Sequence, residues 1–205
     1  MKLLVATSNA GKVREFVELL GPALPEGSQL VSLADLKLPA PDETGATFAE
    51  NAAQKARTSA LASGLWTLGD DSGLCVDALD GAPGLHSARY APTDAERRTR
   101  LLGALLRTPE GRRRAFFECA LALVSPEGQR LFRAEGRCDG TIAGAPRGAG
   151  GFGYDPIFLP DEAQGRTLAE LNPAQKNALS HRGRALKRML PLLTRLFKDG
   201  DVSEG

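Results

Sequence analysis

A chain of 205 residues that is 42% hydrophobic and 25% charged carries enough apolar material for a globular core, and it reads as one domain over 1–197 with a tail at 198–205. A formal net charge of +1 gives it no overall field to draw nucleic acid or an acidic membrane, and no apolar run approaches the roughly 18 residues of a membrane span. Three cysteines without C-x-x-C spacing, beside only two histidines, argue against a disulfide framework and a structural zinc site and point to a reducing cytoplasm.

Lys2 to Thr7 is a short apolar run suited to a buried strand. Ser8 and Asn9 are both good N-caps, and Val13, Phe16, Val17, Leu19 and Leu20 then recur at helical spacing until Gly21. Residues 22–46 hold six prolines and glycines and read as loop, with one strand near Leu30-Val31. Thr47-x-x-Glu50 is a capping box, and the alanine-rich run to Ala62 is a helix closed by Gly64. Leu65–Gly69 and Leu74–Val76 predict short strands on either side of an acidic turn, Asp70-Asp71-Ser72-Gly73. Residues 94–106 predict a helix with Leu101, Leu102, Leu105 and Leu106 on one face.

Ala115–Val124 is apolar at both parities, as in a strand covered on both faces. Ser125-Pro126-Glu127-Gly128 is turn chemistry, so Gln129–Gly136 returns as its hairpin partner. A glycine-rich loop, 144–153, precedes an apolar strand at Tyr154–Leu159. Asn172-Pro173 opens a helix in the N-cap and N1 manner, and a last helix runs from Arg182 to Phe197. Interspersed strands and helices with one hairpin give an α/β class with a mixed sheet.

Five groups carry chemistry. Thr7-Ser8-Asn9-Ala10-Gly11-Lys12 joins a strand to a helix, where free N–H groups and a lysine make an anion site. It is not a Walker A loop, since Ala6 stands at the first glycine position and Val13 follows the lysine. The other reading is a capped surface helix with Lys12 exposed. In Asp70-Asp71-Ser72-Gly73 two adjacent carboxylates repel unless a cation intervenes, which suits Mg2+, or the segment is a solvated turn. Asp42-Glu43 lies ahead of Glu50, Asn51 and Lys55, the last two sharing a helix face, which suits a metal and a phosphate chain, or the group is a solubilising helix start.

Gly148 to Asp155 matches G-x-G-x-x-G, but a strand follows rather than a helix, so the dinucleotide-binding reading fails its context. What remains is a backbone able to approach a flat ligand, with Phe152 and Tyr154 offering aromatic faces. Lys176, His181 and Arg182 offer donors suited to a purine carbonyl or a phosphate, or they are a surface cluster at a helix start. The arginines at 97, 98, 100, 107 and 112–114 have little aromatic interleaving and read as a solvated helix and loop rather than an RNA-binding face.

The order and wording of these blocks resemble the inosine triphosphate pyrophosphatase family, the bacterial non-standard purine nucleoside triphosphate pyrophosphatases. The similarity runs through Leu4–Lys12, Glu43–Ala52, Asp70–Leu74, Gly81–Gly84, Ser87–Tyr90, Gly150–Pro156 and Ser180–Gly183, about residues 3–190. It implies a two-lobed α/β fold with a long central mixed sheet flanked by helices, a nucleotide cleft between the lobes, and a homodimer. It also implies Mg2+-dependent hydrolysis of inosine, deoxyinosine or xanthosine triphosphate to the monophosphate and pyrophosphate.

Carried over, Thr7, Ser8, Asn9, Ala10, Gly11 and Lys12 hold the triphosphate, helped by Lys55. Asp71 is the general base and, with Asp42, a metal ligand, while Ser72 touches substrate. Phe152, Gly153, Tyr154, Asp155, Lys176, His181 and Arg182 hold base and sugar. Asp42 stands where a glutamate is usual, one methylene shorter, which leaves Glu43 as an alternative ligand. The rival readings are a pyrimidine-directed pyrophosphatase and a nucleotide- or RNA-binding regulator without turnover.

Overall fold

The computed structural model describes residues 1–199. Its first five elements are β1 (Lys2–Ala6), α1 (Ala10–Leu20), β2 (Gln29–Ser32), α2 (Phe48–Ser63) and β3 (Trp66–Val76). Both β2 and β3 pair with β1 in parallel, and Ala6 stands beside Gly69. The chain thus crosses from β1 outward to β2 through α1, then back past β1 to β3 through α2. Right-handed crossovers in opposite directions put α1 and α2 on opposite faces of the sheet. Leu3, Leu4, Val5 and Ala6 are all buried, as a strand covered on both faces requires.

These elements, with 120–135 and the described chain from Ala185 to Asp199, form one compact unit. A second unit comprises Ser72–Cys119 and Gly136–Arg184. It carries α3 (Asp94–Ala104), β6 (Phe158–Pro160), α4 (Pro173–Leu179) and the first residues of α5 (His181–Asp199). β4 (Arg114–Val124) and β5 (Leu131–Ile142), like β3, contribute residues to both units. The sheet order is β2-β1-β3-β4-β5-β6, and β5 and β6 are antiparallel, so the sheet is mixed and flanked by helices, as expected. The second unit's core packs Leu74, Val76, Leu101, Leu105, Phe117, Ile157 and Phe158.

Several local expectations change. The acidic turn at 70–73 does not exist: β3 runs unbroken through it. Strand geometry is possible there because both carboxylates find cationic partners, so neither has to reach water. The helix at 94–106 ends at Ala104, which leaves Leu101 and Leu105 buried and Leu106 80% exposed. Within the glycine-rich loop, Gly148 and Gly150 are not open backbone. A Cβ on Gly148 would lie 2.5 Å from the Ala169 carbonyl carbon, and one on Gly150 3.0 Å from its oxygen. These glycines serve a close backbone crossing, in which Gly150 N–H donates to Ala169 O at 3.0 Å. A 3-10 turn occupies Asp155–Ile157, so the expected strand begins only at Phe158.

Of the expected tail, Lys198 and Asp199 continue α5, and 200–205 lie outside the described residues. Among the described residues no helix is long and apolar enough to cross a membrane.

Candidate active site

In the first unit, strand order reverses at β1, and in open α/β sheets ligands bind beyond the carboxyl ends of the strands at such a switch point. Register puts Gly69 beside Ala6, so Asp70 and Asp71 fall just past the end of β1, level with the turn into α1. Alternation along β3 turns the two carboxylates to opposite faces. Asp70, fully buried, receives Lys12 Nζ from α1. Asp71 Oδ1 accepts from Lys55 Nζ at 2.9 Å, and its Oδ2 accepts from Asn51 Nδ2 at 3.1 Å, both from α2.

Small residues make the second contact possible. A Cβ on Gly69 would lie 2.2 Å from Ala52 O and 3.0 Å from the Ala56 Cβ. With hydrogen there, α2 approaches β3 closely enough for the short Asn51 side chain to reach the strand. Asn51 is itself oriented by Gly45 N–H, which donates to Asn51 Oδ1 at 2.7 Å.

Glu43, not Asp42, is the acidic residue of its pair that joins this cluster. Its Oε1 accepts from Lys55 Nζ at 2.8 Å, whereas Asp42 is exposed. The expected capping box is half made: Thr47 Oγ1 accepts from Glu50 N–H, but Glu50 reaches back to Ala46 N–H at 2.7 Å. That extra residue wraps the segment carrying Glu43 onto the helix start.

Burial pushes the Asp71 carboxyl above the usual aspartate value, and Lys55 and Lys12 only partly offset it. Burial presses the Lys55 ammonium down, but Asp71, Glu43 and Asp70 outweigh it and hold its pKa above the ordinary lysine value. Lys55 therefore stays charged, and Asp71 is a carboxylate of raised basicity.

At the start of α1, Asn9 is the cap. Its Oδ1 accepts from Gly11 N–H at 2.8 Å and Lys12 N–H at 3.1 Å, so two backbone donors expected to be free are engaged. Thr7 Oγ1 accepts from Asn9 N–H at 3.2 Å. Ser8 and Ala10 are exposed, while Gly11 is buried. Lys12, expected at the surface in the plainer reading, is instead half of a largely buried ion pair.

In the second unit, Arg182 is 1% exposed and its Nη2 donates to Ser72 Oγ at 2.9 Å. Gly183 lets α5 begin this close behind α4, since a Cβ there would lie 1.8 Å from Asn177 O. Lys176 Nζ donates to Asp155 Oδ2 at 2.6 Å, and Phe152 N–H donates to the same oxygen at 2.8 Å. The Phe152 ring lies 4.9 Å from Lys176 Nζ and 6.0 Å from the Arg182 guanidinium carbon. Ser72, Phe152, Asp155, Lys176 and Arg182 thus form one group.

The remaining three candidates turn elsewhere. His181 stacks on Phe117 with ring centroids 4.6 Å apart. The Tyr154 ring is buried in the core and its hydroxyl donates to Ser87 O at 3.0 Å, so it offers no open aromatic face. Burial pushes that phenol well above its ordinary pKa. Gly153 faces α3, where both its backbone groups are bonded.

Residues 3–192 match the model of the Ham1 family. The chain belongs to the Ham1 family. A dITP/XTP pyrophosphatase of Symbiobacterium thermophilum is 49% identical over 201 residues, covering 97% of this chain and 98% of that one. A second, from Prochlorococcus marinus, is 48% identical over 196 residues, covering 96% and 94%. Among solved structures, a HAM1 protein from Coxiella burnetii superposes with a TM-score of 0.82 at 42% identity, covering 95% of this chain and 99% of that one.

Within this Ham1-family chain, sequence reasoning includes Asp70, Asn51 and Glu43 in its chemical groups, Glu43 as the alternative to Asp42 as metal ligand, but assigns none of them a definite role. Asn51 had a usable signal, standing four residues before Lys55 on the same helical face. Asp70 had none beyond adjacency, since only β3 running on as a strand separates its partner from that of Asp71.

Proposed function

We propose that this chain hydrolyses non-standard purine nucleoside triphosphates, those of inosine, deoxyinosine and xanthosine, to the monophosphate and pyrophosphate. The observation that carries the reading is the Asp71 carboxylate. It is buried, raised in basicity, and oriented by two donors on α2, at the point where an α/β sheet binds ligands. Membership of the Ham1 family and relatives named dITP/XTP pyrophosphatase supply the reaction class and the substrates.

The donor set fits Mg2+. Asp71 and Glu43, with Asp42 on the adjoining exposed segment, are oxygen donors suited to a hard cation. Among the described residues no group of three or more His, Cys, Asp and Glu side chains forms a ready metal cage, so substrate phosphates and water would complete the shell. When bound, the ion neutralises phosphate charge and eases departure of pyrophosphate.

Asp71 takes the proton from the water that attacks the α-phosphorus. Lys55 spends two of its three N–H donors on Glu43 and Asp71 and has a third for a phosphate oxygen. Lys12 adds a second charge at the helix start, with Thr7, Ser8, Asn9, Ala10 and Gly11 lining the phosphate end. Positioning and electrostatics supply most of the acceleration. The base is read by Arg182, Ser72, Lys176, Phe152 and Asp155. Donors built for a purine O6 reject the adenine amine, because each buried donor left unpaired costs about 1–3 kcal/mol.

The protein works in the cytoplasm as a homodimer. Support for the first is that the three cysteines are buried and none is in a disulfide among the described residues, and for the second the family resemblance.

The test is pyrophosphate released in Mg2+ from inosine, xanthosine, adenosine and guanosine triphosphates offered separately. Release mainly from the first two supports the reading. Release from pyrimidine triphosphates instead would favour the pyrimidine-directed alternative, and tight binding without release a regulator.

A further inference from the structure

Phe152 sits between two glycines in left-handed backbone, Gly151 at φ +69° and Gly153 at φ +59°. A Cβ on Gly153 would meet nothing within 4 Å, so sterics do not hold this peptide in place. Such a pair of glycines gives the Phe152 ring many orientations at little cost. Something else has to select one.

Two side chains on the first turns of α3 do so. Gly153 N–H donates to Asp94 Oδ2 at 2.8 Å, and Gly153 O accepts from Arg98 Nη1 at 2.7 Å. Both backbone groups of one residue are thus held by charged partners four positions apart on a single helix face. Asp94 is oriented in turn, since its Oδ1 accepts from Arg97 Nη1 at 2.8 Å, and Arg97 Nε donates to Ala91 O at 2.8 Å. At the other end of the turn, Asp155 Oδ2 holds the Phe152 N–H and also pairs with Lys176. The Phe152 peptide is pinned on both sides, and its ring is kept beside Lys176 and Arg182.

We propose that Asp94 and Arg98 are positioning residues for nucleotide recognition, acting by clamping the Gly153 peptide so that Phe152 is pre-ordered to receive the base. This rests on the reading of Phe152, Lys176 and Arg182 as part of the nucleotide site. Neither clamp residue touches substrate. The cost of ordering the turn is met before binding rather than during it, which raises affinity without altering the chemical step. An apparent surplus of arginines on α3 thereby acquires a member with a defined task.

The experiment combines steady-state kinetics with hydrogen exchange on the full-length protein. Asp94→Ala and Arg98→Met should each raise KM for inosine triphosphate about tenfold, the equivalent of one good hydrogen bond, with kcat within about twofold of wild type. Exchange over residues 151–155 should quicken in both variants. Asp94→Asn keeps an acceptor oxygen and should restore slow exchange and most of the KM. Arg100→Ala loosens α3 from Tyr90, whose carbonyl its guanidinium holds, without touching the turn, and should leave KM unchanged.

An unchanged KM in Asp94→Ala and Arg98→Met, with wild-type turnover intact, overturns this proposal alone. So does an equal loss in Arg100→Ala, which would mean general weakening of the helix. Absence of pyrophosphate release from the wild-type protein overturns the proposed function and this proposal together.

Discussion

Asp70 and Asp71 are neighbours in one strand, yet each carboxylate is held by a lysine from a different helix, Lys12 of α1 for the first and Lys55 of α2 for the second. Strand alternation separates two like charges that would otherwise repel, and it divides their work. Asp70 is sealed in at no exposure and anchors α1. Asp71 keeps slight exposure and is the one able to meet a water molecule.

Asp71→Asn should therefore lower turnover by about a hundredfold or more, as loss of a general base does, while leaving the fold and nucleotide binding intact. Asparagine preserves the strand, and Lys55 keeps Glu43. Pyrophosphate release with calorimetric nucleotide binding checks this. Near-normal turnover would remove Asp71 as the base.

Lys12→Ala should destabilise the protein by roughly 3 kcal/mol, because it removes the cation paired with a fully buried carboxylate. Arg114 makes a two-pronged pair with Asp161, yet about half of each side chain is exposed, so Arg114→Ala should cost less than about 1 kcal/mol. Urea unfolding of both variants gives the comparison. Similar losses would mean that burial does not set the strength of the Lys12 pair.

In the metal-free protein the Asp71 carboxyl should titrate above an ordinary aspartate, since burial outweighs Lys55. Lys55→Met removes the main opposing charge and should raise it further. Over the window between the ordinary and raised values the native state binds more protons than the unfolded one. This group's contribution to stability accordingly falls as pH rises through that window. Carbon-13 NMR titration of the carboxyl reads the value, and titration below the ordinary range would contradict the prediction.

Gly69→Ala should cost about 3 kcal/mol or more and weaken turnover as well. Its methyl would press on Ala52 O and push α2, with Asn51 and Lys55, away from Asp71. Gly103→Ala is the contrast: it is exposed within α3 with nothing near its Cβ, and it should stabilise by about 0.5 kcal/mol. Thermal melting and activity of the two variants check both signs.

Much of this was legible in the chain itself. Apolar runs located β1 and β4, the Thr47 and Asn172 caps marked two helix starts, and the ordered blocks from Leu4 to Gly183 pointed to the family. These are short-range properties, written in periodicity, capping chemistry and wording. The tertiary structure decided what depends on which residues meet across long separations. It made a strand of the expected acidic turn, because Lys12 lies 58 residues from Asp70 and only folding supplies that counter-charge. It turned Tyr154 into the core toward Ser87, 67 residues away. It gave the glycines at 148 and 150 to a backbone crossing with Ala169 rather than to a ligand. Local sequence states what a residue can do, and the partner that folding brings to it determines which of those things it does.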